Sequence, residues 1–133
     1  MRVFFDTNVL IAAYATHGFC SELLNHCLAR HIICTSNFVL KELEQALLHK
    51  IKLTTQETDL IITFIRRNCE TAKDVRHPPR ISRDREDDHV LAAAVQAHVD
   101  CILTGDDDLL VIKCIEDIPI LRPRDFWKLE TLK

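Results

Sequence analysis

Glycine and proline are scarce, 2 and 4 among 133 residues, and no Ser-, Gln- or Pro-rich tract occurs, so no segment has the composition of a linker or disordered tail. No internal repeat is visible. No apolar stretch approaches the roughly 18 uninterrupted residues of a membrane span, and Asp6 and Asn8 interrupt an opening that otherwise has signal-peptide character. A soluble protein with no membrane partner is expected. The six cysteines, at positions 20, 27, 34, 69, 101 and 114, lack CxxC spacing and sit inside apolar runs. Reduced core thiols and a cytoplasmic location follow, with neither disulfides nor structural zinc expected. No metal role is expected of His17 or His26 either. A basic excess is also missing: the net charge of −3 argues against a surface that coats nucleic acid throughout. Absent, finally, are GxGxxG, GxxxxGK with Ser or Thr, HExxH and GxSxG, which removes dinucleotide, P-loop, zincin and α/β-hydrolase readings.

What is present is a hydrophobic content of 47%, enough to bury the core of one domain spanning residues 1–133. Val3-Phe4-Phe5 reads as a buried strand, and Asp6-Thr7-Asn8 supplies cap chemistry for a short helix behind it. Helical spacing follows over Ser21 to Arg30, a strand over His31 to Thr35, and a helix over Phe38 to Lys50 capped by Ser36 or Asn37. Thr54 to Glu57 is a capping box opening a further helix. Residues 73–83, with Pro78-Pro79, read as a loop with a short strand near Ala72 to Val75. A helix over Glu86 to His98, a strand over Cys101 to Thr104, an edge strand over Ile118 to Leu121 and a helix from Pro123 complete the chain. Alternating strands and helices predict an α/β fold with a central parallel sheet, layered α/β/α, whose ligands lie beyond the strands' carboxyl ends. Asp6 and Asp106 fall there.

Charge is unevenly distributed. Asp84, Glu86, Asp87 and Asp88 form one acidic cluster and Asp106 to Asp108 another, while Arg76, Arg80, Arg83 and Arg85 lie in a basic stretch beside the first. The segments Val3 to Leu10, Leu40 to Leu43, Asp87 to Ala94 and Leu103 to Asp106 resemble the four blocks of PIN-domain nucleases, in order and over nearly the whole chain. The similarity is greatest to stand-alone bacterial PIN proteins classed as toxins of toxin–antitoxin systems. It implies a PIN-like fold, cleavage of single-stranded RNA, a cognate antitoxin and a homodimer. It also implies metal-site acids at Asp6, Glu42, Asp88 and Asp106, with Asp87, Asp108 and Asn8 as possible helpers; Asp87 adjoins Asp88 and competes for the third place.

The chemistry accounts for an all-carboxylate set. Two unit negative charges ~4 Å apart repel by about 4 kcal/mol at an effective dielectric of 20, which Mg²⁺ or Mn²⁺ offsets. Such ions also acidify water for in-line attack on phosphorus. Taken singly, each acid has a plainer explanation as a cap, a first-turn residue or a turn residue. Two other functions stay open on the residues alone: a haloacid-dehalogenase-like phosphohydrolase, disfavoured by Asn8 where that mechanism needs a second Asp, and a PIN module that binds RNA or a partner without turnover. The arginines at 76, 80, 83 and 85 are the expected RNA-binding rim, the alternative being ion pairs with neighbouring acids.

Overall fold

The structure, a computed structural model, describes residues 1–132. Four strands follow one another with helical crossovers: β1 (Arg2–Phe5), α1 (Thr7–Ala15), α2 (Phe19–Arg30), β2 (Ile32–Ser36), α3 (Asn37–His49), α4 (Thr55–Asn68), β3 (Glu70–Ala72), α5 (Arg85–Gln96) and β4 (Cys101–Leu103). A four-residue helix α6 (Asp107–Leu110), a hairpin of β5 (Cys114–Ile115) and β6 (Ile118–Leu121), and α7 (Pro123–Thr131) close the chain.

The six strands run in the order β3-β2-β1-β4-β6-β5, every pairing parallel except the β5/β6 hairpin. Crossovers step outward from β1 to β3, then return over β2 and β1 to β4, so right-handed connections send α5 to the face opposite α1 to α4. The reversal falls between β1 and β4, whose register sets Phe5 opposite Leu103. That junction is where open α/β sheets carry their sites.

Val3, Phe4, Phe5, Ile33, Cys34, Ile102 and Leu103 are buried, as doubly covered strands require. Against them pack Leu10, Leu23, Leu40, Leu43, Leu47, Val90, Leu91 and Ala94 from α1, α2, α3 and α5, in one contiguous core. No helix among the described residues is long and apolar enough to cross a membrane.

Sequence periodicity located the elements other than β5 but missed some edges. α2 starts at Phe19 rather than Ser21, and β3 at Glu70 rather than Ala72, because Cys69 closes α4 and the strand follows at once. The segment with Pro119 is not an edge strand: β5 lies outside it, and Ile120, not the proline, donates to Lys113 O at 2.8 Å. The hairpin turns on two residues, Glu116 (φ 46°) and Asp117 (φ 66°), both in the left-handed region that such a turn demands. All six cysteines are free; Cys27, Cys34 and Cys101 are buried as expected, whereas Cys114 is exposed on β5.

Candidate active site

Asp6 caps α1 where β1 ends, and Asp106 caps α6 just beyond β4. One hydroxyl joins them. Thr104 Oγ1 donates to Asp6 Oδ2 at 2.7 Å and accepts from the Asp106 amide at 3.0 Å. Asn8 Nδ2 reaches Asp6 Oδ2 at 3.3 Å and Thr104 Oγ1 at 3.4 Å, while its Oδ1 accepts from Gly105 N at 2.8 Å. Asn8 thus braces Asp6 and ties β1 to the turn after β4. A Cβ on Gly105 would come 3.5 Å from Asn8 Oδ1, an ordinary contact, so nothing here demands glycine for space.

Thr7 carries the network to α3: its amide donates to Asp6 Oδ1 at 2.7 Å, and its hydroxyl to Glu42 Oε1 at 3.0 Å. Burial raises the carboxyl pKa of Asp6, and Thr104, Thr7 and Asn8 counter this while Asp106 adds to it. Glu42 is raised likewise by burial, countered by Thr7 and reinforced by Glu86, Asp6 and Asp84.

On α5, neighbouring acids divide their tasks. Asp87 is buried and faces the pocket: one oxygen each of Asp87, Asp106 and Asp108 lie within 4.8 Å of one another. Burial, a hydrogen bond with Asp106 and the charges of Asp106, Asp84 and Asp6 push the Asp87 carboxyl up to about 8. Asp88 instead turns toward the preceding loop. Its Oδ1 accepts from Ile81 N at 3.0 Å and Ser82 N at 2.7 Å, and its Oδ2 accepts from Arg85 Nη1 at 3.2 Å. Burial acts to raise Asp88, but these donors and the Arg85 charge outweigh it and hold the group below the usual carboxylate range.

Ser82 and Thr104 escaped the sequence reading. Ser82 Oγ donates to Asp87 Oδ2 at 3.3 Å, and Thr104 is the hub of the β1/β4 junction. Thr104 stands inside the fourth block, two residues before Asp106; nothing comparable marks Ser82. His89 lies flat on Phe38, with ring centroids 4.9 Å apart, a packing role. Among the arginines, Arg83 Nε is 3.6 Å from Asp108 Oδ1 and Arg85 is held by Asp88, whereas Arg76 and Arg80 are exposed.

The donor set suits a hard dication: all candidate ligands are carboxylate oxygens, and burial together with the neighbouring Asp106 raises the Asp87 carboxyl, a crowding of negative charge that a cation would offset. Asp6, Glu42, Asp87 and Asp106 are the residues that could hold such an ion, with Asp108 at the rim.

The family model of the PIN domain matches residues 2–108. No curated protein matches the sequence. Among solved structures, the fold is similar to VapBC2 from Rickettsia felis, bound to a DNA fragment from their promoter, with TM-score 0.65 and 12% identity, covering 92% of this chain and 98% of that one. It is also similar to VapC20 of Mycobacterium tuberculosis, a sarcin-ricin loop cleaving toxin, with TM-score 0.60 and 16% identity over 88% and 98% of the two chains. A third likeness is to VapBC-1 from nontypeable Haemophilus influenzae, with TM-score 0.64 and 12% identity over 93% and 99%. At these identities the likeness is one of fold.

Proposed function

Because the chain belongs to the PIN-domain family, we propose that it is a nuclease, and specifically a divalent-metal-dependent endoribonuclease of single-stranded RNA, the toxin of a toxin–antitoxin pair. The observation that carries this reading is the convergence of Asp87, Asp106 and Asp108 oxygens within 4.8 Å of one another, with Asp6 tied to Asp106 through Thr104 and to Glu42 through Thr7 at the reversal point of the sheet. Asp87 is proposed as the third metal-site acid in place of Asp88, whose oxygens are committed to Ile81, Ser82 and Arg85.

A bound Mg²⁺ or Mn²⁺ supplies charge neutralisation at the phosphate and acidification of water there. The chain's own residues do the rest. Thr104, Thr7 and Asn8 fix the Asp6 carboxylate so that its lone pairs enter the pocket in one orientation. Asp87, whose carboxyl is held up to about 8 by burial and its acidic neighbours, would have to be deprotonated to serve as a ligand, and Asp108 keeps Arg83 near the mouth. The RNA backbone is proposed to run between Arg76, Arg80, Arg83 and Arg85 on one side and a groove beside Glu42 lined by Lys41, His49 and Lys50 on the other.

The antitoxin is proposed by similarity to the VapBC assemblies, and the homodimer from the resemblance to stand-alone PIN proteins. An apolar groove between α2 and α4, with Leu24, Leu28, Leu60 and Phe64 along it, offers a surface for either.

Cleavage of single-stranded RNA by the pure protein with Mg²⁺ or Mn²⁺, set beside double-stranded RNA and single-stranded DNA, tests the reading. Activity should vanish with chelator and in Asp6→Asn, with the metal-free variant as stable as the parent or more so, since one repelling charge is gone. Full activity in folded Asp6→Asn, or chelator-resistant cleavage, would overturn it.

A further inference from the structure

A second convergence of metal-ligating groups lies at the opposite pole of the sheet. His26 is on the last turns of α2, His31 stands just before β2, and Glu130 is on α7, beyond residue 108 where the family match ends. His26 Nε2 is 3.0 Å from Glu130 Oε1, and His31 Nε2 contacts that same oxygen. We infer that His26, His31 and Glu130 form a zinc-type metal site, separate from the carboxylate pocket, that fastens the last helix to the amino ends of the strands.

Four features support it. One ligand atom from each residue lies within 4.8 Å of the other two. A tetrahedral ion with bonds of about 2.0–2.1 Å sets its ligands roughly 3.3 Å apart, so His26 needs only a small outward adjustment from Glu130, and His31, which touches the same oxygen more closely, a larger one. Burial is right as well: the His31 and Glu130 side chains are 9% and 8% exposed, while His26, at 21%, leaves one side open for a water as fourth ligand. The rings are also fixed in place: Trp127 meets His26 edge-on at 5.0 Å between centroids, and Phe126 meets His31 at 5.8 Å.

The donor set decides the ion. Two imidazole nitrogens and one carboxylate oxygen suit Zn²⁺ and similar borderline dications, whereas Mg²⁺ and Ca²⁺ want oxygen. The two poles would therefore sort metals by class. Sequence spacing shows half of the site, since four residues separate His26 from His31, and hides the rest, because Glu130 is 99 residues from His31. The competing state is a hydrogen-bonded triad in which protons occupy the place of the ion.

Cobalt distinguishes the two in the full chain carrying no affinity tag. Metal-free Asp6→Asn/Asp106→Asn protein, its carboxylate pocket weakened, should bind an equivalent of Co²⁺ with the strong visible absorption of a four-coordinate site, and Zn²⁺ should displace it. Binding should weaken by at least about tenfold in His26→Gln and in Glu130→Gln, because even supporting residues around a metal are worth that much. In the same Asp6→Asn/Asp106→Asn background, Zn²⁺ should also raise the melting temperature, and raise it less once His26→Gln or Glu130→Gln is added. No four-coordinate absorption in the folded protein, or unchanged affinity in variants with native far-ultraviolet dichroism, would overturn the site and leave the hydrogen-bonded triad. The cobalt spectrum is read on protein with native histidines, so poor folding of a histidine variant does not void the test. Loss of nuclease activity plays no part in it.

Discussion

Thr104 uses its hydroxyl to the full, donating to Asp6 and accepting from the Asp106 amide and Asn8, at zero exposure. Thr104→Val keeps the shape and removes all three bonds. It should cost about 1–3 kcal/mol in metal-free urea unfolding, because a buried carboxylate and an amide lose a partner. It should also raise the Asp6 pKa further, visible as weaker Mn²⁺ binding at neutral pH than at pH 8 or above. Asp87 makes a second prediction. Its carboxyl titrates near 8 in the folded chain against an ordinary 3.8. Between those values the folded protein holds a proton that the unfolded chain has lost, so metal-free stability should fall as pH climbs from about 4 to 8. Asp6 and Glu42, also raised, act in the same sense. A pH series of unfolding in chelator should show this fall, and Asp87→Asn should flatten it. Calorimetry in buffers of different ionisation enthalpy should find proton release on Mn²⁺ binding at pH 7, lost in that variant.

At the scale of elements, Asp88 joins α5 to the loop before it. Its depressed pKa has the opposite sign to that of Asp87: the stabilisation is complete above the unfolded value and is lost as pH falls through the folded one. Asp88→Ala should strip the Ile81 and Ser82 amides of their acceptor at a cost of about 1–3 kcal/mol and speed limited proteolysis between residues 73 and 84, while Mn²⁺ still binds. Asp87→Asn should do the reverse, sparing the loop and losing the metal. Sequence reasoning could place both acids on the first turn of one helix but not say which faced inward. Successive residues differ by about 100° in direction, and the loop's demand for an acceptor, which carries no composition signal, fixed the rotation. The strands, the capping box at Thr54 and the position of Asp6 after β1 were legible because local periodicity and cap chemistry determine them. The antiparallel β5 was not: two residues are too few for alternation to register. The His26, His31 and Glu130 convergence is tertiary in origin, and only the packing of α7 against α2 brings it about.

Across the whole molecule, a net charge of −3 must coexist with the approach of a polyanion to an acidic pocket. Arg83 lies at that pocket but already faces Asp108, so its contribution to RNA binding competes with an internal pair, whereas Arg80 is exposed. If both contact phosphates, Arg80→Ala with Arg83→Ala should flatten the dependence of log affinity on log salt by about 0.7 per lost contact, with Mn²⁺ affinity little changed. An unchanged slope would shift the path toward Lys41 and Lys50. The small hairpin bears on a different matter, how the protein behaves at high concentration. Were β6 outermost, its free amides and carbonyls would offer a template on which another chain could add a strand. β5 occupies that position with two residues, and Lys113, Glu116 and Asp117 ring it with charge. At the far side β3 is only three residues long. Deleting residues 113–117 should therefore appear in light scattering as concentration-dependent clumping before it appears as a large loss of unfolding free energy. The turn, though remote from the acids, helps keep the molecules dispersed.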